Sequence, residues 1–194
     1  MITLLLATAL ASAPSPEVLD YALSAHRCAV QRGVLEGARH PDRLVLIDYS
    51  LPSTERRLWV LDVDDGTTLL HEHVAHGQGT GDNLARAFSN EPGSHQTSLG
   101  VFRTAEVYQG SNGLSLKLDG LEPGVNDLAR ERAIVIHGAP YVNETLAAKQ
   151  GRLGRSWGCP AVRPEVTSTL IDAIAGGTLL VAWYPDPSWM QASA

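Results

Sequence analysis

The chain has 194 residues, a length that fits one domain with a short appendage. It carries 15 Lys and Arg residues against 21 Asp and Glu residues, and its formal net charge is −6. This balance disfavours nucleic acid as a partner, because phosphate-binding surfaces are usually basic. With 44% hydrophobic and 19% charged residues the chain is not disordered by composition, and its two cysteines are too few for a disulfide scaffold or a thiolate zinc cluster.

The N-terminus is apolar, with the sequence MITLLLATALASA at residues 1–13. The run is shorter than the roughly 20 apolar residues that span a bilayer, and Ala11-Ser12-Ala13 fits a signal-peptidase cleavage pattern. We therefore expect a signal peptide over residues 1–13, export to the periplasm or cell envelope, and no stable membrane insertion after cleavage. Because no Lys or Arg precedes the run, a frayed apolar terminus or a misassigned start codon remains the alternative.

A helical segment is predicted over residues 14–42. It opens with Ser-Pro-Glu at residues 15–17, which supplies a capping hydroxyl, a proline at the first helical position and an acid in the first turn. Apolar residues then recur near helical spacing until Gly33. Cys28 lies in this helix and is expected to be a small, half-buried hydrophobic residue, with a disulfide to Cys159 as the alternative.

From Arg43 onward, short apolar or alternating runs predict strands. An Asp-Asp-Gly sequence at residues 64–66 predicts a hairpin turn, and one later helix is predicted over about residues 164–174. Without a βαβ rhythm, this order indicates a mainly β, mostly antiparallel fold with flanking helices in one domain over residues 43–185. Residues 186–194 are predicted to form an exposed tail that docks through Trp189. The predicted strands lie near residues 44–49, 58–63, 69–75, 100–104, 114–118, 133–137 and 178–184.

Residues 77–98 are rich in Gly, Asn and Ser and predict a long irregular loop. A loop of that length inside a compact domain is more often functional than accidental. We therefore expect it to lie near a site.

One histidine and one cysteine are candidate catalytic residues. The apolar strand predicted at residues 133–137 ends in His137-Gly138, and Ser156-Trp157-Gly158-Cys159 follows later in a tight polar segment. A thiol needs a nearby base or positive charge to become a thiolate nucleophile, and a strand-end histidine could supply that base. From these residues alone, a buried cysteine and a core histidine remain an equal alternative.

Two longer runs carry a family resemblance. RAIVIHGAPYV at residues 132–142 and GRSWGCPAV at residues 154–162 resemble the murein L,D-transpeptidase catalytic domain family, a branch of the YkuD-like L,D-transpeptidase superfamily. The similarity covers about residues 44–184, with upstream matches at 51–60, 74–77, 88–90 and 98–100.

The resemblance implies a β-sandwich-like catalytic domain that acts on peptidoglycan stem tetrapeptides in the cell envelope, without a cofactor. It implies Cys159 as the nucleophile, His137 as its base, and the carbonyl of Gly138 as the group that orients the imidazole. The backbone N–H groups of Gly158 and Cys159 are the candidates for the oxyanion hole.

The reaction implied by the family has two halves. Cys159 forms a thioester with the stem and releases D-alanine; the acyl group then passes to an amine, giving a cross-link, or to water, giving L,D-carboxypeptidase trimming. A non-catalytic peptidoglycan-binding or cell-wall scaffold domain with the same fold is the alternative function.

The substrate-binding residues depart from the wider superfamily. Trp157 stands where many members have His, and Ala161 stands where many have Arg. Arg155 or Arg163 is the candidate to take a substrate carboxylate instead. The remaining predicted substrate-binding residues are Ser156, Trp157 and His95.

The histidines at residues 71 and 73 flank Glu72 and precede His76, so a zinc site on one strand face is geometrically possible. No His-Glu-x-x-His or Cys-x-x-Cys spacing accompanies them. We expect solvated or hydrogen-bonded histidines and no metal, with His76 and His95 as weaker candidates to line the cleft.

Overall fold

The computed structural model describes residues 13–192. The predicted signal peptide falls, apart from Ala13, outside these residues. Within them, no helix combines the length and the apolar character needed to cross a membrane.

The described chain contains eight strands and four helices, and six of the strands follow one another between the first and second helices. The mainly β fold class is confirmed, with its N-terminal helix and a helix in the C-terminal half. In chain order the elements are α1 (Pro16–Gln31), β1 (Arg43–Asp48), β2 (Leu58–Asp62), β3 (Thr68–Glu72), β4 (Gly100–Gly110), β5 (Gly113–Gly120), β6 (Val135–Gly138), α2 (Glu144–Gln150), β7 (Ala161–Val162), α3 (Pro164–Ile174), β8 (Leu179–Trp183) and α4 (Pro187–Ala192).

The strands form one sheet of eight in the order β3-β2-β1-β8-β4-β5-β6-β7 within the described residues. Most neighbours are antiparallel, as predicted, whereas β1–β8 and β6–β7 are parallel. The last strand of the chain is thus inserted between β1 and β4, and all five residues of β8 are buried. The predicted turn at residues 64–66 joins the antiparallel pair β2–β3, where Gly66 has the positive φ of 75°.

Helix α1 begins as its sequence predicts. Ser15 is the N-cap, its hydroxyl accepts a hydrogen bond from the Val18 N–H, and Pro16 is the first helical residue. The buried Val18, Ala22 and Ala29 recur at helical spacing and pack against the core of the sheet. Cys28 is half-buried and both cysteines are free thiols, so the alternative of a disulfide to Cys159 is wrong.

Two helices and one strand were not predicted. Helix α2 begins after Asn143, whose side chain accepts from the Leu146 N–H, and ends at Gly151 with a φ of 77°. This cap-and-glycine signal was present in the sequence, but seven residues give too little periodicity to predict a helix. The two-residue strand β7 has no periodicity at all.

The predicted tail is partly folded. Its residues form the short helix α4, and Trp189 is buried, with its ring centroid 5.3 Å from that of Tyr21 and its Nε1 3.5 Å from Glu122 Oε2. The expected docking of Trp189 is therefore observed, but the segment around it is helical because it packs against α1.

The long segment at residues 77–98 is irregular, as predicted, and is held by buried threonines. The Thr97 N–H donates to Thr80 Oγ1 at 2.7 Å, and the Gly77 N–H donates to Thr97 Oγ1 at 2.9 Å. Both threonines are buried, so these bonds lie out of water, where they are strongest. These bonds join the two ends of the segment to each other.

Candidate active site

The parallel pair β6–β7 brings the segment that follows Cys159 alongside the strand that carries His137. His137 on β6 faces Ala161 on β7, and Gly138 faces Val162. Cys159 stands two residues before Ala161, so it arrives at β6 just ahead of the residue that faces His137. Two segments that are distant in sequence therefore meet because of one short strand pairing.

His137 is held in one orientation. It is 4% exposed, and its Nδ1 lies 3.0 Å from the carbonyl oxygen of Gly138. A carbonyl can only accept, so Nδ1 is the nitrogen that carries the proton and donates it in this bond. In the neutral ring Nε2 then keeps its lone pair, which is the state that a general base requires.

The Cys159 thiol is half-buried beside the backbone that leads into β6. Its Sγ lies 3.6 Å from the carbonyl oxygen of Ala133. Burial raises the pKa of this thiol, while a hydrogen bond from the Val135 N–H and the positive charge of Arg132 act in the opposite direction. Since the net direction is upward, the thiol favours its protonated form and depends on a base for activation.

A serine shapes the turn that presents the cysteine. Ser156 is 5% exposed; its Oγ donates to the Cys159 carbonyl at 2.6 Å and accepts from the Gly158 N–H at 3.1 Å. Gly158 has a φ of 122°, and a Cβ added there would lie 2.8 Å from the carbonyl oxygen of Gln96. The Ser-x-Gly-Cys sequence therefore matches the backbone: a hydroxyl closes the turn, and glycine permits the approach.

The turn is attached to the loop at residues 77–98 by backbone hydrogen bonds. The Ser156 N–H donates to the His76 carbonyl at 3.0 Å, and the Gln78 N–H donates to the Ser156 carbonyl at 2.8 Å. A Cβ on Gly77 would clash with the His95 carbonyl and with Gly158. The loop thus forms one wall beside the cysteine, as its length led us to expect.

An exposed aromatic pair stands next to the cysteine turn. Trp157 is 73% exposed, and its ring stacks on His95 with centroids 5.1 Å apart and planes 8° apart. Gln78 Nε2 donates to His95 Nδ1 at 2.9 Å, which fixes the imidazole. Two of the predicted substrate-binding residues are therefore brought together at the surface.

The other three predicted substrate-binding residues have partners inside the protein. Ser156 closes the turn described above. Arg155 Nη1 donates to Asp82 at 3.1 Å and to the Gly81 carbonyl at 3.0 Å, and Arg163 makes two hydrogen bonds to Glu72, at 3.0 and 2.7 Å. A substrate carboxylate would have to displace these partners.

The histidines at residues 71 and 73 also have protein partners. His71 Nε2 lies 3.0 Å from the carbonyl oxygen of Arg56, and His73 Nε2 lies 3.0 Å from that of Thr54. Glu72, between them, is the partner of Arg163. Across residues 13–192 no group of three or more candidate ligands has the arrangement to hold a metal ion.

His76 lies beneath the site rather than lining it. It is 1% exposed, and Arg57 Nη2 donates to its Nδ1 at 2.8 Å. Burial and the charge of Arg57 lower the pKa of His76 to about 4, so the ring is neutral at physiological pH. Nε2 therefore carries the proton and faces the Gly81 carbonyl at 3.3 Å.

Arg57 itself is completely buried, and among residues 13–192 none of its hydrogen-bond acceptors is a carboxylate. Its guanidinium donates to the carbonyls of Val74 and Leu51 as well as to His76, and lies 5.0 Å from the ring centroid of Tyr49. Burial lowers the pKa of Arg57 to about 10. This group holds residues 74–76 in place and with them the backbone to which Ser156 is attached.

Two residues close to Cys159 were not selected from the sequence. Arg132 is positioned to favour the thiolate, and the pKa of Tyr141 is raised to about 12 by burial and by its proximity to Cys159. Tyr141 packs against Gly154, where a Cβ would clash with its ring. Both residues lie inside the runs that carried the family resemblance, which was the available signal.

A cavity of about 830 Å³ lies elsewhere, lined by Asp48, Trp59, His71 and Glu144 among others. Neither Cys159 nor His137 lines it. Large concave pockets are the usual first candidates for a site, but this one lacks a nucleophile paired with a base. The pairing of a candidate nucleophile with a candidate base therefore favours the surface around Cys159 as the active site.

The comparison with known protein families agrees with the resemblance found in the sequence. Residues 11–183 match the family model described as the L,D-transpeptidase catalytic domain, YkuD_2. No curated protein matched the sequence.

Solved structures with a similar fold include three bacterial proteins. An L,D-transpeptidase from Mycobacterium smegmatis is 13% identical, with 74% of this chain and 59% of that chain covered and a TM-score of 0.46. Bd1075 of Bdellovibrio bacteriovorus is 20% identical (73% and 48% covered, TM-score 0.45). The helical cell shape determining protein Pgp2 of Campylobacter jejuni is 14% identical (72% and 46% covered, TM-score 0.47). The chain thus spans about half the length of the structures that it matches.

Proposed function

Because the chain belongs to the L,D-transpeptidase catalytic domain family, we propose that it is a cysteine-dependent L,D-transpeptidase acting on peptidoglycan stem tetrapeptides. The observation that supports this proposal is the β6–β7 register: Cys159 lies two residues before Ala161, the strand partner of His137, and the Gly138 carbonyl holds His137 Nδ1. A nucleophile, a base and a main-chain group that orients the base form the arrangement required for acyl transfer.

In the first half-reaction His137 Nε2 accepts the proton of the Cys159 thiol as the sulfur attacks the stem amide. The amide lies between the L-centre of the diamino acid and the terminal D-alanine. The sulfur–carbon bond forms, the carbon–nitrogen bond breaks, and the imidazolium returns its proton to the departing amine. The products are a thioester on Cys159 and free D-alanine.

In the second half-reaction an acceptor attacks the thioester. An amine of a second stem gives a cross-link, whereas water gives a trimmed tripeptide. His137 accepts the proton of the acceptor and returns it to the sulfur as the thioester breaks, so the enzyme regains its starting state.

Negative charge on the carbonyl oxygen of the intermediate needs hydrogen-bond donors. The Cys159 N–H is the first candidate for the oxyanion hole. The Gly158 N–H, the second, donates to Ser156 Oγ in this structure and would have to exchange that acceptor for the substrate oxygen. The two N–H groups are candidates because they belong to Cys159 and to the residue directly before it.

The exposed pair Trp157–His95 supplies a flat surface next to the nucleophile, and we assign it to substrate contact. Arg155 and Arg163 form ion pairs with Asp82 and Glu72, and we assign them to stabilising the site rather than to binding substrate. A peptidoglycan substrate also implies an envelope location, and the sequence at residues 1–13 supports export to it.

Mass spectrometry of the protein from Pro14 onward, incubated with purified disaccharide-tetrapeptide, tests the proposal. We expect an acyl-enzyme on Cys159, release of D-alanine, and a tripeptide or a cross-linked dimer. Cys159→Ala should abolish these products, whereas Cys28→Ala, the matched control at the other free thiol, should retain them. Binding without any adduct or product would instead support the non-catalytic wall-binding alternative.

A further inference from the structure

Arg132, just before β6, directs its guanidinium into a single segment of the long loop. Nη1 donates to the Ser89 carbonyl and to Ser98 Oγ, both at 2.5 Å. Nη2 donates to the Gln96 carbonyl at 2.6 Å and to Ser94 Oγ at 3.2 Å. Both terminal nitrogens are therefore engaged, and one planar fork closes the segment at residues 89–98 on itself.

The same segment packs against the cysteine turn. The Gln96 carbonyl that accepts from Arg132 is the atom a Cβ on Gly158 would approach to 2.8 Å, and Arg132 Nη2 would lie 3.6 Å from that Cβ. Gly158 is buried and precedes Cys159 directly. The guanidinium is thus separated from the backbone of the nucleophile by a single layer of atoms.

The positive charge of Arg132 acts on the Cys159 thiol. Burial lowers the pKa of this arginine, while Cys159 and Glu91 are the groups that raise it. An arginine remains protonated at any physiological pH even when partly desolvated. A permanent positive charge therefore lies near Cys159. Tyr49 and Tyr141 also interact electrostatically with the thiol.

We propose that Arg132 is a positioning residue for Cys159, which fixes the segment at residues 89–98 against the cysteine turn and holds a permanent positive charge beside the sulfur. It does not bind the substrate, because its terminal nitrogens are already bonded to the segment. Its fork and its charge have separate effects: the fork holds His95 in the stack with Trp157, and the charge favours the thiolate. The proposal rests on Cys159 as the nucleophile assigned above.

Arg130 provides a matched control two residues away. Its guanidinium pairs with Glu106 and Asp119 on the surface, and its side chain is 46% exposed. Because it has ion-pair partners of its own, away from the cysteine turn, Arg130→Gln removes the same charge without touching residues 89–98.

The test measures iodoacetamide alkylation of Cys159 against pH, and steady-state D-alanine release, in a Cys28→Ser parent. Arg132→Gln should move the alkylation midpoint to higher pH and slow alkylation at pH 7.5 by about three- to tenfold, as expected for a nearby charge. Arg132→Lys should keep a midpoint near that of the parent, because the charge is retained, but should raise KM more than it lowers kcat, because a lysine cannot replace the fork. Arg130→Gln should match the parent in both measurements.

An unchanged alkylation midpoint in folded Arg132→Gln would overturn the role of the charge. A parental KM in Arg132→Lys would overturn the role of the fork. If thermal unfolding shows that Arg132→Gln does not fold, Arg132→Lys also tests the charge, because an alkylation midpoint that rises although the charge is retained would overturn that role. Absence of D-alanine release from the parent would instead count against the proposed function, while the alkylation profiles would still decide the role of the Arg132 charge.

Discussion

Ser156 Oγ donates a 2.6 Å hydrogen bond to the carbonyl oxygen of Cys159, three residues further along the chain. Ser156 Oγ also accepts a hydrogen bond from the Gly158 N–H at 3.1 Å. A hydroxyl can donate and accept at once, and here it closes the turn from both sides. The position of Cys159 therefore depends on a side chain that sequence analysis had predicted to bind substrate.

Ser156→Ala should lower kcat by about ten- to a hundredfold, because a small displacement of the nucleophile has a large effect on the rate. D-alanine release and thermal unfolding measure the two consequences. Thr104→Val is the control, since Thr104 Oγ1 also donates and accepts, to the Ile174 carbonyl and from the Gly177 N–H, away from the cysteine. The control should lose stability and keep kcat; equal losses of kcat in both variants would contradict the role of the turn.

The pKa of Cys159 is raised by burial, so less thiolate exists in the folded protein at a given pH than in the unfolded chain. In a Cys28→Ser protein, iodoacetamide should therefore react more slowly with folded than with urea-unfolded protein at pH 7.5. The inflection of the rate should also lie at higher pH in the folded state. A folded inflection below the unfolded one would indicate a preformed thiolate–imidazolium pair instead.

Trp157→Ala should raise KM by up to about tenfold, because aromatic contacts of this kind contribute about 0.5–1.5 kcal/mol. Trp157→Phe retains a flat ring that can stack on His95 and should recover most of the loss. Steady-state kinetics on disaccharide-tetrapeptide separates KM from kcat. A wild-type KM in Trp157→Ala would remove the stacked pair from the substrate surface.

The sequence predicted those parts of the fold that depend on local pattern. The strands and helix α3 were found because apolar side chains recur with a clear period. The pairing of β6 with β7 was not predicted, because a two-residue parallel strand has no period and its partner is distant in sequence. The family resemblance, rather than periodicity, brought Cys159 and His137 together.

The ion-pair and hydrogen-bond partners of the charged residues could not be predicted from the sequence either. Arg155 and Arg163 were assigned to a substrate carboxylate, yet they pair with Asp82 and Glu72, which lie far away in the sequence. Arg57 follows another arginine, and two adjacent arginines are typical of an exposed segment. The fold nevertheless buries Arg57 completely. Such burial depends on carbonyls supplied by other segments, so no local signal predicts it.

Arg57→Met should lower the free energy of unfolding by about 3 kcal/mol or more, because it leaves buried acceptors at Val74, Leu51 and His76 without their donor. Arg56→Met is the matched neighbour: its ion pair with Glu144 is exposed, and its loss should cost less than about 1 kcal/mol. Urea unfolding of both variants measures the difference. Similar values for the two would show that the buried guanidinium contributes no more than a surface charge.

His76 makes stability depend on pH in a defined window. Its pKa is about 4 in the folded protein against an ordinary value of 6.5, with burial as the main cause and Arg57 next. As the pH falls below 6.5 the unfolded chain binds a proton that the folded protein does not, so stability is full above that pH and declines toward pH 4. The shift corresponds to about 3 kcal/mol.

His76→Asn isolates this contribution. Asparagine can still accept from Arg57 but does not titrate, so the variant should lose less stability than the wild type between pH 7 and pH 4. Urea unfolding at a series of pH values gives both curves, and the titrations of Asp48 and His71, whose pKa values are also shifted, cancel because both groups are present in each protein. Parallel curves would mean that His76 protonates equally in the folded and unfolded states. They would contradict the interpretation that the His76 imidazole is neutral and accepts a hydrogen bond from Arg57.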